Sequence, residues 1–196
     1  MNRKYIAAIA GLATAYLLTA SATATASKNK GRLTSKTQLT AFEEVRNDAD
    51  GVPVQGTVES DGLATAIISI NRRHRRANIR VTFTNLEGNF TRLHLHCAPA
   101  GQNGPIAIGF VDLVSLAQDN SETNTLDANT VIGSIRNKQF PADGGACGIS
   151  NIKQLADAIN TDDIYWNLHT TAEPGGELRG QVVPLSSGSH SENDDD

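Results

Sequence analysis

Short segments in which apolar and polar residues alternate are the feature that most constrains how this chain can fold. The pattern is clearest in Leu63–Ile70 and Ala77–Thr84, and it returns in Arg92–Cys97, Tyr165–His169 and Glu177–Val183. Successive side chains of a β-strand point to opposite faces of a sheet, so alternation predicts strands that are buried on one face. Turn residues separate these segments, and the chain is therefore predicted to form an all-β antiparallel sandwich.

A single helix is predicted near residues 151–160. Ile152, Leu155, Ala156 and Ile159 recur at helical spacing, and Ser150 or Asn151 can cap the first turn. Hydrophobic residues make up 39% of the 196 residues. This content is enough for the core of one domain with tails.

The two ends of the chain differ in composition from the part between them. Residues 1–24 combine early cations, an uncharged apolar run and small residues at the end, which is typical of a cleaved secretory signal peptide. Residues 25–36 are predicted to be a mobile lead-in, and residues 185–196 a disordered acidic tail. The globular domain is expected to span residues 37–184. These features predict a secreted protein, or a periplasmic one if the source is a Gram-negative bacterium.

The charge balance excludes one class of partner and the motifs exclude several reactions. There are 17 Lys and Arg residues against 21 Asp and Glu, so general affinity for nucleic acid is not expected. The sequence contains no Gly-rich phosphate loop, no Gly-x-Ser-x-Gly elbow and no His-Glu-x-x-His helix motif. We therefore expect a non-enzymatic module that binds an extracellular protein, surface or polysaccharide, and we leave catalysis open.

The cysteines are an even pair, Cys97 and Cys147. In an oxidising compartment such a pair is expected to form a disulfide. The alternative is that Cys97, which lies close to His94 and His96, is a metal ligand.

Alternation also places titratable side chains together on one face of each of three strands. These sets are Arg92, His94 and His96; Tyr165, Asn167 and His169; and Glu177, Arg179 and Gln181. If the strands are neighbours, the three histidines converge on one polar surface. Three imidazoles are a donor set that copper or zinc accepts, with a position left open for water or substrate.

The alternative to a metal site is a structural cluster of hydrogen bonds. In that arrangement Glu177 and Arg179 pair, and the histidines bond to carbonyl groups or to the Asn167 amide. No cofactor is certain on the sequence alone.

Elsewhere, the five residues 72–76 (Arg-Arg-His-Arg-Arg) lie at a turn and are either a solvated tip or a site for phosphate, sulfate or anionic polysaccharide. Asn89 begins a glycosylation sequon.

Three blocks of sequence resemble the CHRD domain, the module named after chordin. They are Leu93–Ile106 (LHLHCAPAGQNGPI), Tyr165–Thr170 (YWNLHT) and Glu173–Gln181 (EPGGELRGQ), in the family's order. The start departs from the family, because six residues separate Glu44-Val45 from Val52–Val54, which the family has in one run. The resemblance implies an extracellular β-sandwich, immunoglobulin-like or superoxide-dismutase-like, with no established catalytic residues to transfer.

Overall fold

A computed structural model of the chain describes residues 32–112 and 123–185. The predicted signal peptide, most of the lead-in and nearly all of the acidic tail lie outside these residues. In the described part the strands are β1 (Leu33–Thr40), β2 (Val45–Asn47), β3 (Pro53–Gln55), β4 (Leu63–Ile70), β5 (Arg76–Thr84), β6 (Phe90–Cys97), β7 (Ile106–Asp112), β8 (Thr123–Asp127), β9 (Thr130–Arg136), β10 (Ile164–Thr170) and β11 (Leu178–Gln181). Helix α1 (Ile152–Asn160) precedes β10.

Nine of these strands form one antiparallel sheet in the order β7-β6-β10-β11-β1-β4-β5-β9-β8, and β2 and β3 form a separate hairpin. The large sheet curls around a single core to which both of its halves contribute. Leu93 and Trp166 come from one half, and Ile68 and Val81 from the other, all with no exposed surface. Trp166 also packs on Phe110, with ring centroids 5.4 Å apart. The prediction of an all-β, sandwich-like fold is confirmed.

The alternating segments became strands because their apolar positions all face this core. β4 begins and ends at the predicted residues, and its burial alternates along its whole length. β1 was missed: it begins at Leu33, so the last four residues of the range assigned to the lead-in belong to the sheet. Its inward-facing positions include the polar residue Ser35, so the alternation of apolar and polar residues that reveals a strand is interrupted in β1. The Ser35 hydroxyl is satisfied inside the fold by donating to the Val183 carbonyl at 2.6 Å.

The helix follows its predicted pattern. Asn151 is the N-cap, and its side-chain oxygen accepts a hydrogen bond from the Gln154 amide at 3.0 Å. The four apolar residues at helical spacing are all buried. In the described part of the chain α1 is the only α-helix, and its nine residues are too few to cross a lipid bilayer.

The disulfide between Cys97 and Cys147 is present. It ties the end of β6 to a short 3₁₀ turn, Gly145–Cys147, that lies 50 residues further along the chain. The prediction of a disulfide is confirmed. The alternative of Cys97 as a metal ligand is wrong for this oxidised state, because its sulfur has no thiolate to offer.

The β2-β3 hairpin, with Glu44 directly before it, packs against β10 and against the loops that follow β6 and β10. Its Glu44 side chain accepts a hydrogen bond from the Asn167 amide at 3.0 Å, and its Val45 carbonyl accepts one from the Asn103 amide at 3.0 Å. The titratable face expected at the surface is therefore a buried layer: Asn167 and Arg179 are only 3% and 2% exposed. Alternation identified the shared face, and the hairpin determined that it is covered.

Candidate metal centre

Strand pairing brings His94, His96 and His169 together. β6 and β10 are adjacent and antiparallel, with Asn167 opposite His94 and Tyr165 opposite His96. His169 lies two residues beyond Asn167 and is therefore diagonal to His94 on the same face. One ligand atom from each of the three histidines lies within 4.8 Å of the other two. The spatial convergence on which the metal hypothesis depended is therefore present.

Two of the histidines are held in one tautomer by the backbone. Nδ1 of His96 lies 2.9 Å from the Gly104 carbonyl oxygen, and Nδ1 of His169 lies 3.0 Å from that of Pro174. A carbonyl only accepts, so each Nδ1 carries the proton and each Nε2 keeps its lone pair. Both Nε2 atoms are buried without a hydrogen-bond partner in the described part of the chain. A metal-ligating histidine is oriented by this kind of bond to its second nitrogen.

The surroundings keep these two imidazoles neutral. Burial lowers the pKa of His169 from its ordinary 6.5 to about 4, opposed by the Pro174 carbonyl and assisted by His96 and by the cations Arg92 and Arg46. Burial also lowers the pKa of His96, although its hydrogen bond to the Gly104 carbonyl acts in the opposite direction. Since a metal binds only unprotonated imidazole, no proton competes for these ligands near neutral pH.

His96 is positioned by a layer of stacked groups. Its ring stacks on Tyr165 with centroids 5.0 Å apart, and the Arg179 guanidinium lies 3.5 Å from the centre of the Tyr165 ring. Arg179 also donates hydrogen bonds to the Asn103 side-chain oxygen at 3.1 Å and to the Gln102 carbonyl at 2.6 Å. Arg179 thereby holds Gln102 and Asn103 of the turn in place. The next residue, Gly104, provides the carbonyl group that binds His96.

Glycine is required at that turn because the chain approaches itself closely. A Cβ on Gly104 would stand 1.9 Å from the Cys97 carbonyl oxygen, well inside contact distance. The Gly-x-Asn-Gly-Pro block therefore places a bare backbone against the end of β6. This close packing is what places the Gly104 carbonyl beside the His96 ring.

His169 is positioned through the loop that follows β10. Arg46 donates to the Glu173 carboxylate at 2.9 Å and to the Gly176 carbonyl at 2.6 Å. The loop is held between these contacts, and within it the Pro174 carbonyl faces His169. Gly176 has a φ of +127°, and a Cβ there would lie 2.4 Å from the Asn167 side-chain oxygen. The Glu-Pro-Gly-Gly block thus positions His169, the third histidine.

The structure separates two residues that the sequence placed in one polar cluster. The Glu177 carboxylate accepts from the Ser60 and Thr170 hydroxyls at 2.7 and 2.6 Å, and from the Glu87 amide at 2.9 Å. Arg179 instead contacts the stack around His96, so these two described residues do not pair. Glu177 is fully buried and joins three segments of the fold, whereas Asn167 and Arg179 border the histidines.

Two residues of this region, Glu44 and Arg46, were not predicted from the sequence. They flank the start of β2, a strand of three residues that is too short for alternation to reveal. Burial raises the pKa of Glu44, although the Arg46 guanidinium and the Val45 amide oppose the shift. The only signal available was the broken family opening, in which Glu44-Val45 stands apart from Val52–Val54.

Three imidazoles in this arrangement are suited to a transition-metal ion. Copper or zinc lies about 2.0–2.1 Å from a histidine nitrogen, so two nitrogens bound to one tetrahedral ion lie about 3.4 Å apart. The widest separation of 4.8 Å must therefore close by about 1.4 Å on binding. Rotations about the side-chain bonds of the three histidines supply this change.

The three blocks that carry the resemblance meet at this centre: the first contributes His94 and His96, the second His169, and the third the loop and Arg179. A family model of the CHRD domain matches residues 36–182. A comparison with curated proteins gave no match. A comparison with solved structures gave none either. The chain belongs to the CHRD domain family.

Proposed function

We propose that the chain is an exported, non-enzymatic CHRD module that binds one copper or zinc ion through His94, His96 and His169. The observation that carries this proposal is the convergence of three imidazoles whose ligand atoms lie within 4.8 Å of one another. Such a donor set, with no thiolate or carboxylate among the grouped residues, suits copper or zinc better than magnesium or calcium.

The competing explanation is that the histidines are only structural. Backbone carbonyls account for Nδ1 of His96 and of His169, which agrees with that explanation. They do not account for the two buried Nε2 atoms. Leaving a buried polar atom unbonded costs about 1–3 kcal/mol, and a metal ion uses the lone pairs that the fold leaves over.

Export is supported by three independent features. CHRD domains are typically extracellular, and the Cys97–Cys147 disulfide is consistent with an oxidising compartment. Residues 1–24 have the composition of a signal peptide. After cleavage, residues 25–32 form the lead-in, residues 33–184 the domain and residues 185–196 the acidic tail. Its partner is an extracellular protein, surface or polysaccharide.

The identity of the metal determines what else the module does. Three imidazoles bind Cu²⁺ more tightly than Zn²⁺ in the general order of divalent metal affinities. Zinc is redox-inert, so a redox role requires copper. Copper therefore permits redox activity, whereas zinc limits the module to binding and stabilisation.

Reconstitution of the full-length exported protein with CuSO₄ or ZnCl₂ tests the proposal. We expect one equivalent of metal by elemental analysis after dialysis and a metal-dependent rise in the melting temperature that a chelator reverses. His96→Asn and His169→Asn keep a donor near the position of Nδ1–H and remove Nε2. Both variants are expected to fold and to lose the bound metal.

His74→Asn is the matched control, because His74 lies at the β4-β5 turn with a φ of +47°, a conformation that asparagine tolerates. It should bind metal like the wild type. Absence of stoichiometric copper or zinc after reconstitution would overturn the proposal, and so would unchanged metal content in the two Asn variants at 96 and 169.

A further inference from the structure

A second candidate site lies on the opposite half of the sheet, where cations from two strands and from the turn between β4 and β5 gather. Alternation places Lys36 of β1 and Arg80 of β5 on the outer face, and both are exposed. Ile67 of β4 pairs with each of them, so they stand on either side of one strand, about 10 Å apart. The exposed residues Arg72, Arg73 and Arg75 occupy the turn that joins β4 to β5.

A cleft of about 440 Å³ connects this turn to the start of β1. Its lining residues are Arg32, Ser69, Asn71, Arg72 and Asn78. They present two guanidinium groups, two amides and a hydroxyl, and none is acidic. Such a lining is rich in hydrogen-bond donors, which suits the oxygens of sulfate and carboxylate groups.

The positive charge of this surface is not neutralised nearby. Arg32, Lys36, Arg72, Arg73, Arg75 and Arg80 form no ion pair with any described residue. No Asp or Glu occurs in the sequence between Asp61 and Glu87, although the chain as a whole has a net charge of −4. The cations are thus segregated onto one surface, which we call the basic face.

The turn of the basic face is ordered by its own hydrogen bonds. The Asn71 side-chain oxygen accepts from the Arg75 amide at 2.9 Å, and the Asn71 carbonyl accepts from the His74 amide at 2.9 Å. The guanidinium groups therefore project from a fixed loop, which lowers the entropy lost when they bind a ligand.

We propose that the basic face binds an anionic polysaccharide, one that carries sulfate or carboxylate groups along its length. From Arg80 to Arg75 the backbone runs about 17 Å, a span that a single phosphate or sulfate cannot cover and a repeating polyanion can. The choice of polysaccharide among polyanions rests on the export part of the proposed function. The histidine centre lies in β6 and β10, so this site is independent of metal binding.

Affinity chromatography and titration with heparin test this inference on the full-length exported protein. Heparin and polygalacturonate are expected to bind at about 0.15 M salt and to be displaced as salt rises, whereas neutral dextran is not retained. The triple variant Arg72→Gln, Arg73→Gln, Arg75→Gln should weaken heparin binding at least about tenfold, because each lost contact with the polyanion removes the release of about one condensed counterion.

Single variants distinguish two causes of weaker heparin binding: the loss of a local contact and the change in the protein's net charge. Arg75→Gln and Lys153→Gln each remove one charge, but Lys153 lies on α1 and pairs with Asp157 at 2.7 Å. We expect only Arg75→Gln to weaken heparin binding. His96→Asn should bind heparin like the wild type, so failure of the metal proposal leaves this result intact.

Several outcomes would overturn the inference. They are wild-type heparin affinity in the triple variant, equal weakening by Lys153→Gln, and retention of neither heparin nor polygalacturonate. Tighter binding of phosphatidylserine vesicles or of a DNA oligonucleotide than of either polysaccharide would also reject the assigned partner.

Discussion

Replacing Gly176 by alanine tests whether the loop after β10 is held by close contact with the buried layer around the histidines. Gly176 has a φ of +127°, outside the conformations that alanine adopts readily. A Cβ at this residue would lie 2.4 Å from the Asn167 side-chain oxygen and 2.5 Å from a Glu44 carboxylate oxygen. The substitution therefore strains the backbone and forces apart two buried side chains that are hydrogen-bonded to each other.

The expected loss of stability is the sum of these two effects. A residue held in a disfavoured backbone region costs about 1–3 kcal/mol. Breaking the buried Asn167–Glu44 hydrogen bond costs about 1–3 kcal/mol more. We therefore expect Gly176→Ala to lower the free energy of unfolding by about 4 kcal/mol, measured by urea denaturation of the metal-free protein.

Gly101→Ala is the matched control. Gly101 also has a positive φ, +76°, but a Cβ there would meet no atom within 4 Å. This variant carries the backbone cost alone, about 1 kcal/mol. Equal losses in the two variants would refute the reasoning, because they would show that the contacts with Asn167 and Glu44 contribute nothing.

Three further predictions concern the disulfide, the histidines and the helix. Replacing Cys97 and Cys147 together by serine should destabilise the protein by about 4 kcal/mol in urea, as expected for a closed loop of 50 residues in the chain-entropy model; a loss below about 1 kcal/mol would reject that estimate. Because the pKa of His169 is about 4 in the folded protein and 6.5 ordinarily, the unfolded chain takes up this proton first as the pH falls. Stability of the metal-free protein should therefore decline between about pH 6.5 and 4, with a slope that His169→Asn reduces; an unchanged slope in circular-dichroism melts would contradict the assignment. Asn151→Ala should cost about 1 kcal/mol through loss of the cap on α1, and a cost close to zero would indicate that the cap is replaced by water.

Much of the sheet could be predicted because its apolar residues face a core directly. β4 and β5 alternate between buried and exposed positions along their length, and that pattern is visible in the residues themselves. β1 could not be found in this way. Ser35 and Thr37 occupy its inward positions, and they are tolerated there because their hydroxyls bond within the fold.

The candidate centre also contains some residues that the sequence predicts and others that it does not. Alternation predicted which side of β6 and β10 carries the histidines, and strand pairing then placed them together. The contributions of Glu44 and Arg46 were not visible, because both depend on a hairpin that folds back over more than 120 residues of sequence to reach Asn167 and Glu173. Long-range contacts of this kind leave no local periodicity.

Local patterns in the amino-acid sequence were enough to predict most of the strands, the helix with its cap, the cysteine pair and the side of each strand on which the titratable groups lie. These features depend on local geometry: two residues per strand repeat, and 3.6 residues per helical turn. Three features could be found only from the folded chain: the histidine face is covered, Glu177 and Arg179 are apart, and Arg32, Lys36 and Arg80 join the arginines of the β4-β5 turn. Those results depend on which strands become neighbours, since contacts between distant segments are selected by the packing of the whole core.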